Sequence, residues 1–128
     1  LKNKVKITKL KAPVYGTPIW IVVSNSFYSA IDKIEDIIDK KIADDNYIKG
    51  LHALTYIYYN HKGAPRIIFF FKPKSRPGLI AHESKHAVNS IFAYNGVRLS
   101  ANNDESECYY LDWIVERCHG ALKRFLKS

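Results

Sequence analysis

Residues 81–89 read AHESKHAVN, so His82 and His86 stand four apart and Glu83 directly follows the first histidine. On a helix, residues four apart differ by about 40° around the axis, so both imidazoles project from one side and can hold a single cation. Glu83 lies about 100° from His82, close enough to take a proton from a water beside that cation without being a ligand. Ile80, Ala87, Val88, Ile91 and Phe92 gather on the other side of the wheel, so the histidines are not needed as core. The competing reading is an ordinary helix whose histidines face water and bind nothing.

A cation held by two histidines needs further donors, because catalytic zinc usually takes three protein ligands and leaves a fourth position for water. This spacing is the H-E-x-x-H pattern of zinc metalloproteases, in which the two histidines are ligands and the glutamate is the general base. Its longer form, H-E-x-x-H-x-x-G-x-x-H, is excluded because Asn89 and Phe92 stand where the glycine and third histidine belong. The alternative is a carboxylate from the following helix. Residues 102–113 (NNDESECYYLDW) supply Glu105 and Glu107, and Glu105 follows His86 by nineteen residues, room enough to turn near Gly96 and run back alongside. Two histidines and a carboxylate also suit non-haem iron, but the helical H-E-x-x-H spacing favours zinc, one Zn2+ per chain.

AHESKH followed by DESECYYLDWI resembles the gluzincin metallopeptidases, the zincins whose third ligand is a glutamate. In particular it is similar to the compact zincin domains of the ImmA/IrrE type and to small zincin-like proteins encoded by phages and their hosts. In those domains a helix opens with the ligand glutamate, carries a small residue three positions on, and continues with aromatic and aliphatic residues. Glu105, Cys108, Tyr109 and Leu111 match that arrangement, and the likeness spans about residues 65–116. The resemblance implies a zincin-like fold and a zinc ion held by His82, His86 and Glu105, with Glu107 as the alternative third ligand. It also implies hydrolysis of a peptide or protein substrate by a metal-activated water, with Glu83 as general base. The strand at 66–71 would serve as the substrate-aligning edge strand.

The match departs from the pattern in which aspartate follows the ligand glutamate by four, since that position is Tyr109. Asp112, seven on, lies about 20° from Glu105 and is placed to support a ligand from behind. Tyr109, Tyr110 or Tyr94 could donate to a developing oxyanion, although packing is the ordinary role of any one of nine tyrosines. Cys108, Leu111, Ile114, Val115, Cys118, Leu122 and Phe125 define the buried stripe of this helix, with Glu105 at its edge and Glu107 within it. Glu105 is preferred because the family match coincides with a capping position, where a carboxylate meets the favourable end of the helix dipole.

Positioning the motif falls to the rest of a single domain, residues 1–128, whose length and 47% apolar content suit one real core. Residues 3–10 alternate as a half-buried strand, and residues 19–23 (IWIVV) run apolar as a buried one. Ser24 or Ser26 caps a helix with Ala30, Ile31, Ile34, Ile37, Ile38 and Ile42 at helical spacing. Residues 51–59 and 66–71 read as strands joined by a turn at 60–63. Helices follow over about 77–94, stopped at Gly96, and about 104–126, with Asn102 and Glu105 as a capping box or Asn103 as the cap. The order predicts an α+β fold: a small twisted sheet of about four strands packed with three helices, the motif on the second long helix.

The net charge of +8 collects near the termini and in KPKSR at 72–76. That allows weak attraction to nucleic acid, but no nucleic-acid motif accompanies it. Two other functions therefore stand beside the peptidase. One is a catalytically silent zinc-binding accessory or structural protein, such as a phage component, against which the intact Glu83 argues. The other is a basic nucleic-acid-associated protein. No apolar run nears the roughly 18 residues that cross a membrane, so no membrane partner is expected. Cys108 and Cys118, ten apart on one helix, sit roughly 15 Å apart along its axis. A disulfide tolerates about 7 Å, so free thiols and a reducing compartment are expected: the cytoplasm, or the host cytoplasm or virion for a phage-encoded chain. No signal peptide or targeting segment is visible; the chain begins at Leu1 and holds no methionine, so loss of the true start is expected, and whether a leader went with it stays open.

Overall fold

A computed structural model describes residues 4–102 and 104–128. Its elements run β1 (Val5–Lys11), β2 (Pro18–Ser24), α1 (Phe27–Ile38), α2 (Asp45–Lys49), β3 (Ala53–Tyr59), β4 (Pro65–Phe71), α3 (Pro77–Tyr94) and α4 (Glu105–Lys127). The strands form one open sheet in the order β1-β2-β4-β3, with β2 and β4 parallel and the other two pairings antiparallel. This is the expected α+β architecture, with the histidine motif on the second long helix. The short α2 joins the three anticipated helices; its five residues are too few to leave a periodic signal.

Both faces of the sheet are apolar, so both are covered. Val22, Ile68 and Phe70 point to one side and pack with Ala30, Ile31 and Ile34 of α1. Ile19, Ile21, Ile67, Phe69 and Phe71 point to the other and pack with α3 and α4. Each such side chain contributes about 1.5–3 kcal/mol when fully buried. α1 starts where Ser26 Oγ accepts from Ser29 N at 3.3 Å. It ends at Ile38, earlier than the stripe through Ile42 implies, because Asp39 turns into the left-handed region at φ 55°. Glu35 Oε2 then accepts from the amides of Ile42 and Ala43, which stabilises the exit from the helix.

The hairpin turn falls where expected: Asn60 Oδ1 accepts from the amides of Lys62 and Ala64 at 2.9 Å, and Gly63 supplies φ 81°. α4 differs from expectation at its start. Asp104, not Asn102, occupies the N-cap position, and its side chain makes no capping bond. Glu105 is the first helical residue, whereas a capping box needs its glutamate at the third. Asn103 lies outside the described residues. The buried stripe also differs: Tyr110 is buried and Cys108 exposed, because the Tyr110 hydroxyl donates to Pro13 O and its ring packs on Phe92.

α3 and α4 run antiparallel, as two contacts fix: Phe92 against Tyr110, ring centroids 5.4 Å apart, and Ser84 against Cys118. The buried Ser84 hydroxyl has no conventional hydrogen-bond partner among the described residues, and the thiol is its weak one. Burial pushes the Cys118 thiol up to about 12, with the Ser84 contact pulling weakly the other way. The thiolate is the reactive form, so at pH 8 a thiol reagent should modify Cys108 in the native protein and reach Cys118 only on unfolding. Two equally fast thiols would contradict this packing.

Val14 adopts φ 67° at the tip of the β1–β2 connection while 91% exposed. A left-handed backbone costs a β-branched residue roughly 1–2 kcal/mol, and this side chain gains no burial in return. Val14→Gly should therefore raise Tm by a few degrees, net of the extra freedom glycine gives the unfolded chain. An unchanged or lower Tm would show that the Val14 conformation carries no strain.

Candidate metal centre

The apolar wheel of α3 dictates where the motif points. Ile80, Ser84, Ala87, Val88 and Ile91 are buried toward the sheet and α4, which turns His82 and His86 out to solvent. Their ring centroids lie 5.0 Å apart with the planes at 84°. Glu83 sits on the flank facing β3 and Lys85 on the flank facing α4. The sequence expectation of two imidazoles on one side and a neighbouring carboxylate agrees with this geometry.

Glu83 is only 8% exposed. The Thr55 hydroxyl donates to its Oε1 at 2.7 Å and lies 3.2 Å from its main-chain carbonyl oxygen. The other carboxylate oxygen, Oε2, stands 3.9 Å from His82 Nε2. The strand alternation places Thr55: Ala53 and Ile57 pack toward α3 and Leu54, Tyr56 and Tyr58 toward α1, so Thr55 faces the helix. Sequence reading passed over Thr55. The only signal was a polar residue on an otherwise apolar strand face, and it acquires meaning once β3 is known to lie under α3. Together these residues line a cleft of about 410 Å³ with the two histidines at its rim.

The strand bordering that cleft corrects an expectation. Residues 66–71 lie within β4, which is bonded to β2 on one side and β3 on the other, so they are not an edge. The edge beside the histidines is β3, paired among the described residues only with β4. The physical reason is burial: β4 is apolar on both faces and belongs inside the sheet, whereas no residue of β3 is fully buried.

The other anticipated residues lie elsewhere. Glu105 is exposed at the start of α4. With α3 and α4 antiparallel, His86 is level with the middle of α4, and Glu105 stands about ten residues, roughly 15 Å, along the axis. Glu107 is paired with Lys85, Nζ to Oε2 at 2.6 Å, while the same ammonium donates to Asn89 Oδ1. Asp112 and Tyr109 line a separate hollow with Tyr15 and Trp113, so neither backs the histidine pair. Tyr94 is exposed at the far end of α3, and His119 is exposed on α4. Among the described residues, no three histidine, cysteine, aspartate or glutamate side chains converge as a metal-binding group. The structure thus brings together His82, Glu83 and His86, adds Thr55, and does not bring Glu105 or Glu107 to them.

No described helix is long and apolar enough to cross a membrane. No family model, no curated protein and no solved structure matches this chain, so the site itself carries the functional reading.

Proposed function

We propose that this chain is a zinc-dependent peptidase in which His82 and His86 hold the metal and Glu83 is the general base. The observation that carries the reading is the setting of Glu83. A carboxylate is rarely buried without cause. Here one oxygen is held by Thr55 and the other is left toward two exposed imidazoles. An ordinary solvent-facing turn has no need of that division.

The donor set suits the ion in part. Two imidazoles on one face match a borderline-soft divalent cation, but the third protein ligand usual at catalytic zinc is not in place, since Glu105 stands roughly 15 Å along α4 and Glu107 is paired with Lys85. When bound, zinc supplies Lewis acidity and an acidified water. Glu83 accepts a proton at Oε2 and returns it to the leaving amine, while Thr55 keeps Oε1 and the rotamer fixed. The free edge of β3 presents main-chain donors and acceptors on which an extended peptide can lie.

The Lys85–Glu107 ion pair favours a second reading, a zincin-like accessory protein that binds metal without turnover, because it occupies one candidate ligand. Metal content and turnover, measured together, separate the two. Protein purified without added metal or chelator should carry about one zinc per chain, lost in both His82→Ala and His86→Ala. Loss in Glu105→Ala or Glu107→Ala identifies the third ligand. Glu83→Gln should keep the metal and cleave a peptide library about 10²-fold or more slowly. Zinc-free wild type that takes up none on titration would end the metal reading; zinc without any cleavage would leave the accessory one.

Thr55 gives a sharper check. Thr55→Val keeps the shape and removes the donor, so kcat should fall by about tenfold with zinc content unchanged, and Thr55→Ser should restore it. Equal rates for Val and Ser would mean that the hydroxyl does not position Glu83.

A further inference from the structure

A second and larger crevice, of about 830 Å³, opens at one end of the sheet. Topology creates it. β2 and β4 are parallel neighbours, and beyond their C-terminal ends the chain departs to opposite faces, from β2 into α1 and from β4 into α3. Where adjacent parallel strands diverge in this way, a gap is left between the outgoing connections, and open sheets bind ligands there. Asn25 from the first connection and residues 72–76 from the second line the gap.

The lining is strongly one-signed. Lys4, Lys72, Lys74 and Arg76 all face the crevice and no aspartate or glutamate does. Among the described residues none of these four joins an ion pair, whereas Lys85 and Arg117 elsewhere do. Lys4 instead donates to the Ser128 hydroxyl and lies over the Phe125 ring, and Lys72 lies over the Phe27 ring. The Arg76 guanidinium folds back over the first turn of α3, its Nη1 3.0 Å from where a Cβ on Gly78 would lie. That helix has no acidic residue in its first turn and no side-chain cap. A cation is therefore held against the positive end of a helix dipole, an unfavourable arrangement that a bound anion would reverse. Leu79 and Phe125 add an apolar surface, and the volume is that of a small-molecule site.

We propose that this crevice binds a phosphate-bearing small molecule, its phosphate on Lys72, Lys74 and Arg76 and its apolar body against Leu79 and Phe125. Three cations and an uncapped helix start suit a multiply charged anion better than a single carboxylate. Their convergence on one crevice with an apolar wall favours a small organic phosphate over a nucleic-acid backbone, which needs a basic track along the surface. The inference does not depend on the metal reading, since it uses none of the same side chains.

The test is calorimetric titration of the full chain with adenosine 5′-monophosphate and with pyrophosphate. Wild type should bind at least one of them with a Kd below about 1 mM, and Lys74→Ala/Arg76→Ala should weaken it at least about tenfold with Tm unchanged. Lys33→Ala/Lys49→Ala removes equal charge from exposed sites elsewhere and should leave binding intact. No binding by wild type, or equal weakening in both double variants, overturns the proposal. Affinity for oligothymidylate that climbs with length, without binding of either small probe, overturns it in favour of nucleic acid.

Discussion

The rest of the molecule depends on the burial of β4 from both sides. Ile67, Phe69 and Phe71 face one layer and Ile68 and Phe70 the other, all at 1% exposure or less. A strand with no polar face must lie inside a sheet covered by helices on both faces. That requirement puts β2 and β3 on its two flanks, sends α1 and α3 to opposite sides, and leaves β3 as an edge. The packing that satisfies β4 also fixes the rotation of α3: once Ile80, Ala87, Val88 and Ile91 are driven inward, His82 and His86 can only face out. The cleft, the edge strand and the crevice at the sheet end are consequences of one apolar strand.

Glu83 works against that stability. A single hydrogen bond from a neutral hydroxyl contributes about 1 kcal/mol net, whereas taking a carboxylate out of water costs several. Thr55 therefore does not compensate for burying Glu83. What makes the arrangement tolerable is that Oε2 keeps its side toward the cleft, so desolvation is incomplete. A glutamate serving only stability would be better placed on the exposed face, where the histidines are. Its place is instead one position round the wheel, against β3, where the Thr55 hydroxyl holds one of its oxygens.

Much of this was legible because helices advertise themselves by period. The limits of α3 coincide with Pro77 at its first position and Gly96 just beyond its end, both local signals. The sheet was legible as strands but not as an order. RIIFFF says that β4 is buried on both faces, but in isolation it does not say which neighbour takes the edge. Thr55 escaped notice for the same reason: its partner is 28 residues away and the contact depends on strand order. Cys108 and Tyr110 were exchanged as core residues because a wheel cannot weigh a hydroxyl that finds Pro13 O across the fold. The placement of Glu105 and Glu107 relative to the histidines depends on helix register, a tertiary quantity that nineteen residues of spacing do not define.

The Lys85–Glu107 pair bears on how firmly α4 is excluded from the histidine face. Its side chains are 38% and 21% exposed, and a pair of that kind is worth about 0–1 kcal/mol. Ligation of a divalent cation is worth many times more. The pair thus orders the Glu107 side chain at little energetic gain. Lys85 follows the same logic, because it sits between the two histidines in sequence and its charge opposes any cation held there unless a carboxylate lies close. Glu107 already provides that carboxylate. It neutralises the Lys85 charge, which would otherwise disfavour a cation beside the histidines.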